Sequence, residues 1–525
     1  MPTLAFQAPL VALNRDTIIS LYKECQPRVL VVTDTLNFDP GQGFGLTQFV
    51  NTLKASTIHG MTPKVVTASR SADPNADIPN FDFNDASKGL VNSRYDVVFL
   101  FGARSEGVSD LPANQVDTIA KFMEAGGGVF ATGDHQTLGA SLCGNVPRVR
   151  AMRRWKAAQT PPHVSNTNRF STNLSGPNET EEFSDQSNTE PQRLYLNFRT
   201  QAGGIGSPHP LVQLKAPRRA MEVYPDHPHE GECLVPASLA TNFTVGGQSV
   251  PEWPTDLTGA TLSPEVVAMS VSHGDGFPVG PTGPKEALLP KLFASIVAYD
   301  GHRANKGRVS TDSTWHHFIN INLDGTGEPG FNGLQSPAGV DTEALKRIRE
   351  HYTNLATWLM PKKVRKCLRF PLVLEELSRF PLMEELELKP LKEATVAELT
   401  EAGAALLQSL SRRVAPWEVN AFVLDTLSES LGEAEALKLL DQTDAATALR
   451  NQDIAHATTG GMLTGVASKL AELPTVKEIV PHRTFEAAAL EGSKVATKLA
   501  LTRKREQLKQ MDELLSRLQS AGELR

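Results

Sequence analysis

The chain has 525 residues, 40% of them hydrophobic and 21% charged, too long for one hydrophobic core and therefore expected to form two or three domains. Its formal net charge of -7 argues against a broadly basic nucleic-acid surface. Residues 1–20 lack the basic and apolar regions of a secretory signal, and no stretch has the roughly 20 apolar residues that cross a bilayer; the expectation is a soluble, cytoplasmic protein without a membrane partner.

Residues 1–26 form an N-terminal extension. The first strong strand is Val29–Val32, whose continuous apolar run predicts burial on both faces of a parallel sheet. After the glycine-rich stretch Gly41–Gly45 comes an amphipathic helix with Leu46, Phe49, Val50 and Leu53 on one side. Val65-Val66 marks a second strand and Asp96–Gly102 a third. A helix from Pro112 to about Ala125 ends at Gly126-Gly127-Gly128, which feeds the strand Val129–Ala131. This rhythm is that of right-handed strand–helix–strand units.

Residues 145–260 read as a polar insertion, with a surface excursion over 160–189 rich in Ser, Thr, Asn and Pro. Regular structure is expected to resume with a strand at Val266–Val271, a helix near Glu286–Tyr299 and a strand at Arg308–Asp312. A helix over 342–360 is stopped by Pro361, which places the end of an α/β domain, residues 27–360, there. Residues 361–525 are richer in Leu, Ala and Glu and predict a mainly helical region. Within it Phe370-Pro371-Leu372 recurs as Phe380-Pro381-Leu382. The last helix, about 484–519, spaces Leu501, Leu508, Met511, Leu515 and Leu518 either for a coiled coil or for the core face of a bundle. A homo-oligomer built through these helices is one expectation.

In an open α/β sheet, ligands bind beyond the C-terminal ends of the strands. Asp34, Gly102–Gly107, Gly133–Gln136, Ser272–Asp275 and Asp312–His317 all follow expected strands and converge there. Asp134 and His135 stand where a nucleophile-elbow protein has Ser or Cys, at a strand-to-helix turn whose N–H groups hold anions. An imidazole there serves as base or ligand and a carboxylate orients it; the alternative makes Asp134 a helix cap. In Asp226–Cys233, His227 and His229 face the same way if extended, so both are metal-ligand candidates, although no standard zinc spacing is matched. Asp312, His316 and His317 form the third cluster, of which one His at most enters a site if the segment is a strand. Gly41–Gly45 lacks the full dinucleotide spacing. The four cysteines, Cys25, Cys143, Cys233 and Cys367, are widely separated, which argues against disulfide dependence.

With these residues in view, the N-terminal region, residues 27–360, resembles the class I glutamine amidotransferase-like superfamily and, within it, the ThuA-like branch. The resemblance rests on the first strand and its helix, Tyr95–Phe99, Gly126–Val129 leading to Gly133-Asp134-His135, and Gly307–Val309 leading to Trp315-His316-His317. It implies a flavodoxin-like parallel sheet and a carbohydrate or other polar small molecule as ligand. The glutaminase cysteine is missing from the elbow, so ammonia release from glutamine is not expected. Two functions follow as expectations. One is a hydrolase- or lyase-type enzyme with Asp134, His135, Asp312, His316 and His317 as catalytic residues. It is assisted in one version by a divalent metal (zinc, manganese or iron) on His135, His227, His229 and His316. The other is a non-catalytic binding or scaffold protein that assembles through its helical region.

Overall fold

The computed structural model describes residues 15–135, 137–156, 159, 191–200, 206–225, 231–257, 259–272, 291–378, 386, 388–440, 445–472 and 482–520. The chain divides into two compact units, residues 26–199 with 207–365, and residues 1–25 with 200–206 and 366–525.

The first unit is built on one nine-stranded sheet. Its strands are β1 (Arg28–Thr33), β2 (Lys64–Ser69), β3 (Val97–Phe101), β4 (Gly128–Thr132), β5 (Pro191–Leu196), β6 (Val223–Pro225), β7 (Glu265–Ser272), β8 (Lys291–Tyr299) and β9 (Val309–Asp312). They are ordered β2-β1-β3-β4-β9-β8-β7-β5-β6. The first five strands in that order run parallel, and β8, β7, β5 and β6 extend the sheet by antiparallel pairing. Successive residues of a strand point to opposite faces, and the core obeys that period. Leu30, Val32, Val98, Leu100, Val129 and Ala131 pack with Ile119, Phe122 and Met123 of helix α1 (Ala113–Glu124). The opposite face carries Phe99, Phe101 and Phe130, which meet Phe49 and Phe318 at ring separations of 5.2–5.3 Å. Phe49 belongs to helix Thr47–Ala55 and touches Tyr352 of helix α2 (Glu343–Leu359), which Thr342 caps by accepting the Leu345 N–H. A serine or threonine oxygen at this position satisfies one of the orphan donors of a helix start.

Two expectations for this unit are corrected. The segment read as a helix near Glu286–Tyr299 is, where described, the strand β8, paired with β7 and β9. Its residues Phe293 to Tyr299 are nearly all apolar and buried, and a short apolar run carries no period that separates helix from strand. The stretch read as a polar insertion also supplies β5 and β6 and buries Arg153, Trp155, Leu211, Tyr224 and Trp253. Residues 160–190 lie outside the described residues.

The second unit is helical: Val396–Leu410, Pro416–Leu431, Glu433–Leu440, Ala445–Ala471 and His482–Ser520. Helix Val396–Leu410 opens with a capping box between Thr395 and Glu398, which satisfies two backbone donors reciprocally. Gly461 and Gly465 face Gly492, where an added Cβ would meet opposing backbone at 2.3 and 2.2 Å. The Phe370–Leu372 copy lies inside helix Lys362–Leu377; the second copy, Phe380–Leu382, is outside the described residues. No helix among the described residues is long and apolar enough to cross a membrane.

Cys25 and Cys367 are disulfide-bonded, with Cα atoms 5.8 Å apart, correcting the expectation from spacing. Their separation of 342 residues hides a proximity that only the fold creates. Cys143 and Cys233 are free and buried. Thiol titration of the unfolded, unreduced protein is expected to find two reactive thiols and, after reduction, four; four before reduction would contradict the pairing.

Candidate active site at the C-terminal edge of the sheet

The register sets the site. Ser69, Thr33, Phe101, Thr132 and Asp312 are consecutive Cα partners across five strands. The residues that follow them form one edge, where open α/β sheets bind ligands. Asp34 accepts the N–H groups of Ala103 and Arg104 at 2.8 and 3.2 Å. The Arg104 carbonyl accepts from Gly139 at 3.0 Å. Gly139 has φ +97° and its Cα lies 2.6 Å from where a Cβ on Gly102 would sit; only glycines permit that approach.

The turn after β4 differs from the expected elbow. The chain does not pass straight into a helix: the Asp134 N–H bonds the Leu138 carbonyl, and only the short helix Ala140–Cys143 follows Gly139. Asp134 is therefore neither at a helix N-terminus nor a cap. Its carboxylate, 1% exposed, faces side chains instead. Oδ1 accepts the Thr314 hydroxyl at 2.8 Å. Oδ2 lies 2.9 Å from Nδ1 of His135 and 3.5 Å from Nε2 of His316. The structure thus brings Asp134, His135 and His316 to one point from segments more than 180 residues apart.

The adjacent histidines are not on a strand. They sit in the 3-10 turn Trp315–His317, started by Thr314, whose hydroxyl accepts the His316 N–H at 3.1 Å. Both imidazoles can therefore point inward, and each meets a different carboxylate. His316 stacks on Trp315 and lies 3.3 Å from the Asn322 amide. His317 is fully buried, bonded through Nδ1 to Asp312 Oδ1 at 2.7 Å. Its ring stacks on Tyr224 with centroids 3.9 Å apart. The Tyr224 hydroxyl donates to Asp312 Oδ2 at 2.9 Å and is 3.0 Å from Nε2 of His351. With one hydroxyl proton available, the consistent assignment is His351 to Tyr224 to Asp312.

Arg153 locks the two clusters together. It is fully buried, and its guanidinium donates to the carbonyls of Asp134 (2.6 Å), Ser313 (2.7 Å), Asp312 (3.0 Å) and Arg154 (3.2 Å). It thereby places one positive charge between two buried carboxylates. Nothing local in the sequence marks Arg153, Tyr224 or His351; Arg153 lies in the stretch read as an insertion, and His351 looks like a polar neighbour of Tyr352.

Burial pushes His316 below the ordinary imidazole range against the pull of Asp134, and pushes His351 down to about 4. A histidine kept neutral in the fold binds fewer protons than in the unfolded chain. Its stabilising contribution is intact above the unfolded value of 6.5 and is lost as pH falls toward 4. Urea unfolding at pH 7 and pH 4.5 is expected to show a loss of about 2 kcal/mol from this group alone, with a flatter dependence in His351→Gln. An equal slope in that variant would contradict the assignment.

His135 is the accessible member: its side chain is 24% exposed. Bonded through Nδ1–H to Asp134, it presents the Nε2 lone pair away from the carboxylate. Cys143 and Cys233 are pushed well above the ordinary thiol range by burial and are not poised as nucleophiles. Gly41–Gly45 packs on the segment after the histidine turn, with Gly43 and Gly45 carbonyls accepting from Ile321 and Asn320 at 2.9 Å, and Phe44 edge-on to Trp315 and His316. His227, His229 and residues 273–275 lie outside the described residues. Among the described residues no group of three or more His, Cys, Asp or Glu side chains is arranged to hold a metal ion. No family model matches the chain, and no curated protein matches it.

Proposed function

We propose that the protein is a hydrolase- or lyase-type enzyme acting on a polar small molecule or carbohydrate, with His135 as general base oriented by Asp134. The observation that carries this reading is the Asp134–His135 pair: a buried carboxylate fixed by Thr314 on one oxygen and by an accessible imidazole on the other. Such a pair holds the tautomer whose unprotonated nitrogen takes a proton from water or a substrate hydroxyl, and stabilises the imidazolium that results. Asp312, His316 and His317 act behind it as positioning residues. The strand order β2-β1-β3-β4-β9 is that of flavodoxin-like sheets, which supports the resemblance to the class I glutamine amidotransferase-like superfamily. Asp134 and His135 in place of a cysteine speak against glutaminase chemistry. The described hydrogen bonds support acid–base chemistry; elemental analysis of the purified protein for zinc, manganese or iron tests the metal-assisted version.

A screen of chromogenic esters, phosphoesters and glycosides, together with ultraviolet detection of unsaturated lyase products, tests the reading. Turnover of at least one class, lost in folded His135→Ala, is expected. No turnover of any class, or turnover undiminished in that variant, counts against it.

A second reading, assembly through the helical region, is favoured by the last helix. Leu508, Met511, Leu514 and Leu515 are 46–58% exposed on the distal part of His482–Ser520. Leu508, Met511, Leu515 and Leu518 follow alternating spacings of three and four, as a coiled-coil seam requires. A second copy running antiparallel would set Arg503–Arg505 against Asp512-Glu513, so the occupant that fits is the same helix. Sedimentation is expected to give a dimer, and Leu508→Glu with Leu515→Glu a monomer; a monomeric native protein would remove this reading.

A further inference from the structure

The chain order of the parallel strands reverses between β1 and β3: β2 lies on one side of β1, and β3 with all that follows on the other. Such a reversal opens a crevice at the C-terminal edge. At this crevice stand Asp34 directly after β1, Arg70 directly after β2 and Arg104 in the loop after β3. The Arg70 N–H is bonded to the Thr33 carbonyl at 2.9 Å, which fixes Arg70 beside the end of β1. Asp34 spends its carboxylate on two backbone N–H groups of the β3 loop.

The two guanidiniums are left underused. Among the described residues neither is within ion-pair distance of a carboxylate. Arg70 donates through Nη2 to the Ser109 carbonyl at 3.0 Å, while its Nη1 is buried without a hydrogen-bond partner. The Arg104 guanidinium has no hydrogen-bond acceptor among the described residues, although its backbone is held at both ends by Asp34 and Gly139. Charged donors that are buried or crowded together are ordinarily satisfied, and a pair of arginine forks matches the oxygens of carboxylate or phosphate. Burial raises the Asp34 carboxyl against the pull of both arginines, and burial lowers Arg70, with the charge of Arg104 adding to that push and Asp34 opposing it.

We propose that Arg70 and Arg104 form an anion subsite that holds a carboxylate or phosphate group of the substrate. This inference rests on the reading of His135 as the base, and it deepens that reading by naming the substrate class. The β1 strand end is two strand spacings from β4, about 10 Å, so the anionic group sits roughly that far from the reacting centre. A sugar phosphate or an acid of similar length spans the distance. The Arg104 carbonyl bonded to Gly139 joins the subsite to the turn that carries His135, so both ends of one small molecule contact a single connected edge.

Calorimetric titration of the full-length protein with inorganic phosphate, succinate, glucose 6-phosphate and glucose tests the subsite. Binding of phosphate-bearing probes, or of succinate, is expected, with glucose alone much weaker; which anion binds separates the phosphate source from the carboxylate source. Arg70→Met and Arg104→Gln are each expected to weaken that binding by about tenfold or more, and Arg70→Lys by less. Arg104→Gln alters a side chain with no hydrogen bond in the fold and keeps the test valid should Arg70→Met not fold. His135→Ala is expected to bind the anion as the native protein does while losing turnover. No binding of any anion, or binding unchanged in Arg104→Gln and Arg70→Met, overturns the subsite. Anion binding lost in both arginine variants, together with turnover indifferent to His135, would sustain the subsite and sink the base assignment.

Discussion

Asp134→Asn is expected to lower kcat/KM by about 10²–10⁴-fold while leaving the protein folded. The amide cannot accept from Thr314, His135 and His316 as the carboxylate does. It also removes the charge that favours an imidazolium on His135. His135→Ala is expected to fall in the same range. The double variant should be little worse than either single, because the two side chains act as one unit. If the two losses multiply instead, Asp134 acts on something other than His135, and the pair is not the base. The measurement is steady-state kinetics on whichever substrate class the screen returns, with circular dichroism to check each variant.

Arg153→Met is expected to cause the largest loss of stability of any single change at the site, on the order of 3–5 kcal/mol, since several buried carbonyls lose their donor at about 1 kcal/mol or more each. The carbonyls of Asp134, Asp312, Ser313 and Arg154 all converge on this one guanidinium. Lysine should not rescue the loss, because a single ammonium cannot reach four acceptors that are set out for a planar fork. Denaturant unfolding at pH 7 reads the effect. A loss under about 0.5 kcal/mol, the level of an ordinary surface change, would show that the β4 and β9 loops are held together by other means.

The parallel half of the sheet was legible because its physics is local. Val29–Val32 and Val97–Phe101 are apolar throughout since both faces are covered, and Thr342 and Pro361 bracket a helix by known end preferences. The convergence of Asp134, His135 and His316 was legible for the same reason: once β4 and β9 are parallel, their following residues share an edge. Beyond that, sequence reasoning failed where partners are remote. The run Phe293–Tyr299 is equally apolar as helix or strand, and its pairing with β7 and β9 decided it. The 3-10 turn that turns both His316 and His317 inward depends on Thr314 being held by Asp134, 180 residues away. Tyr224 and Arg153 come from the stretch whose polar composition masked its buried members. The same holds for Cys25 and Cys367, whose pairing spans 342 residues.

Asp134 holds His135 in the tautomer with an unprotonated Nε2. Long-range proton–nitrogen correlation spectra of selectively labelled histidine test it without any substrate. His135 is expected to carry its proton on Nδ1 at neutral pH, with a downfield proton resonance, and Asp134→Asn to abolish that signature while leaving the His317 signal bonded to Asp312 in place. A His135 protonated on Nε2, or a spectrum indifferent to Asp134→Asn, would contradict it.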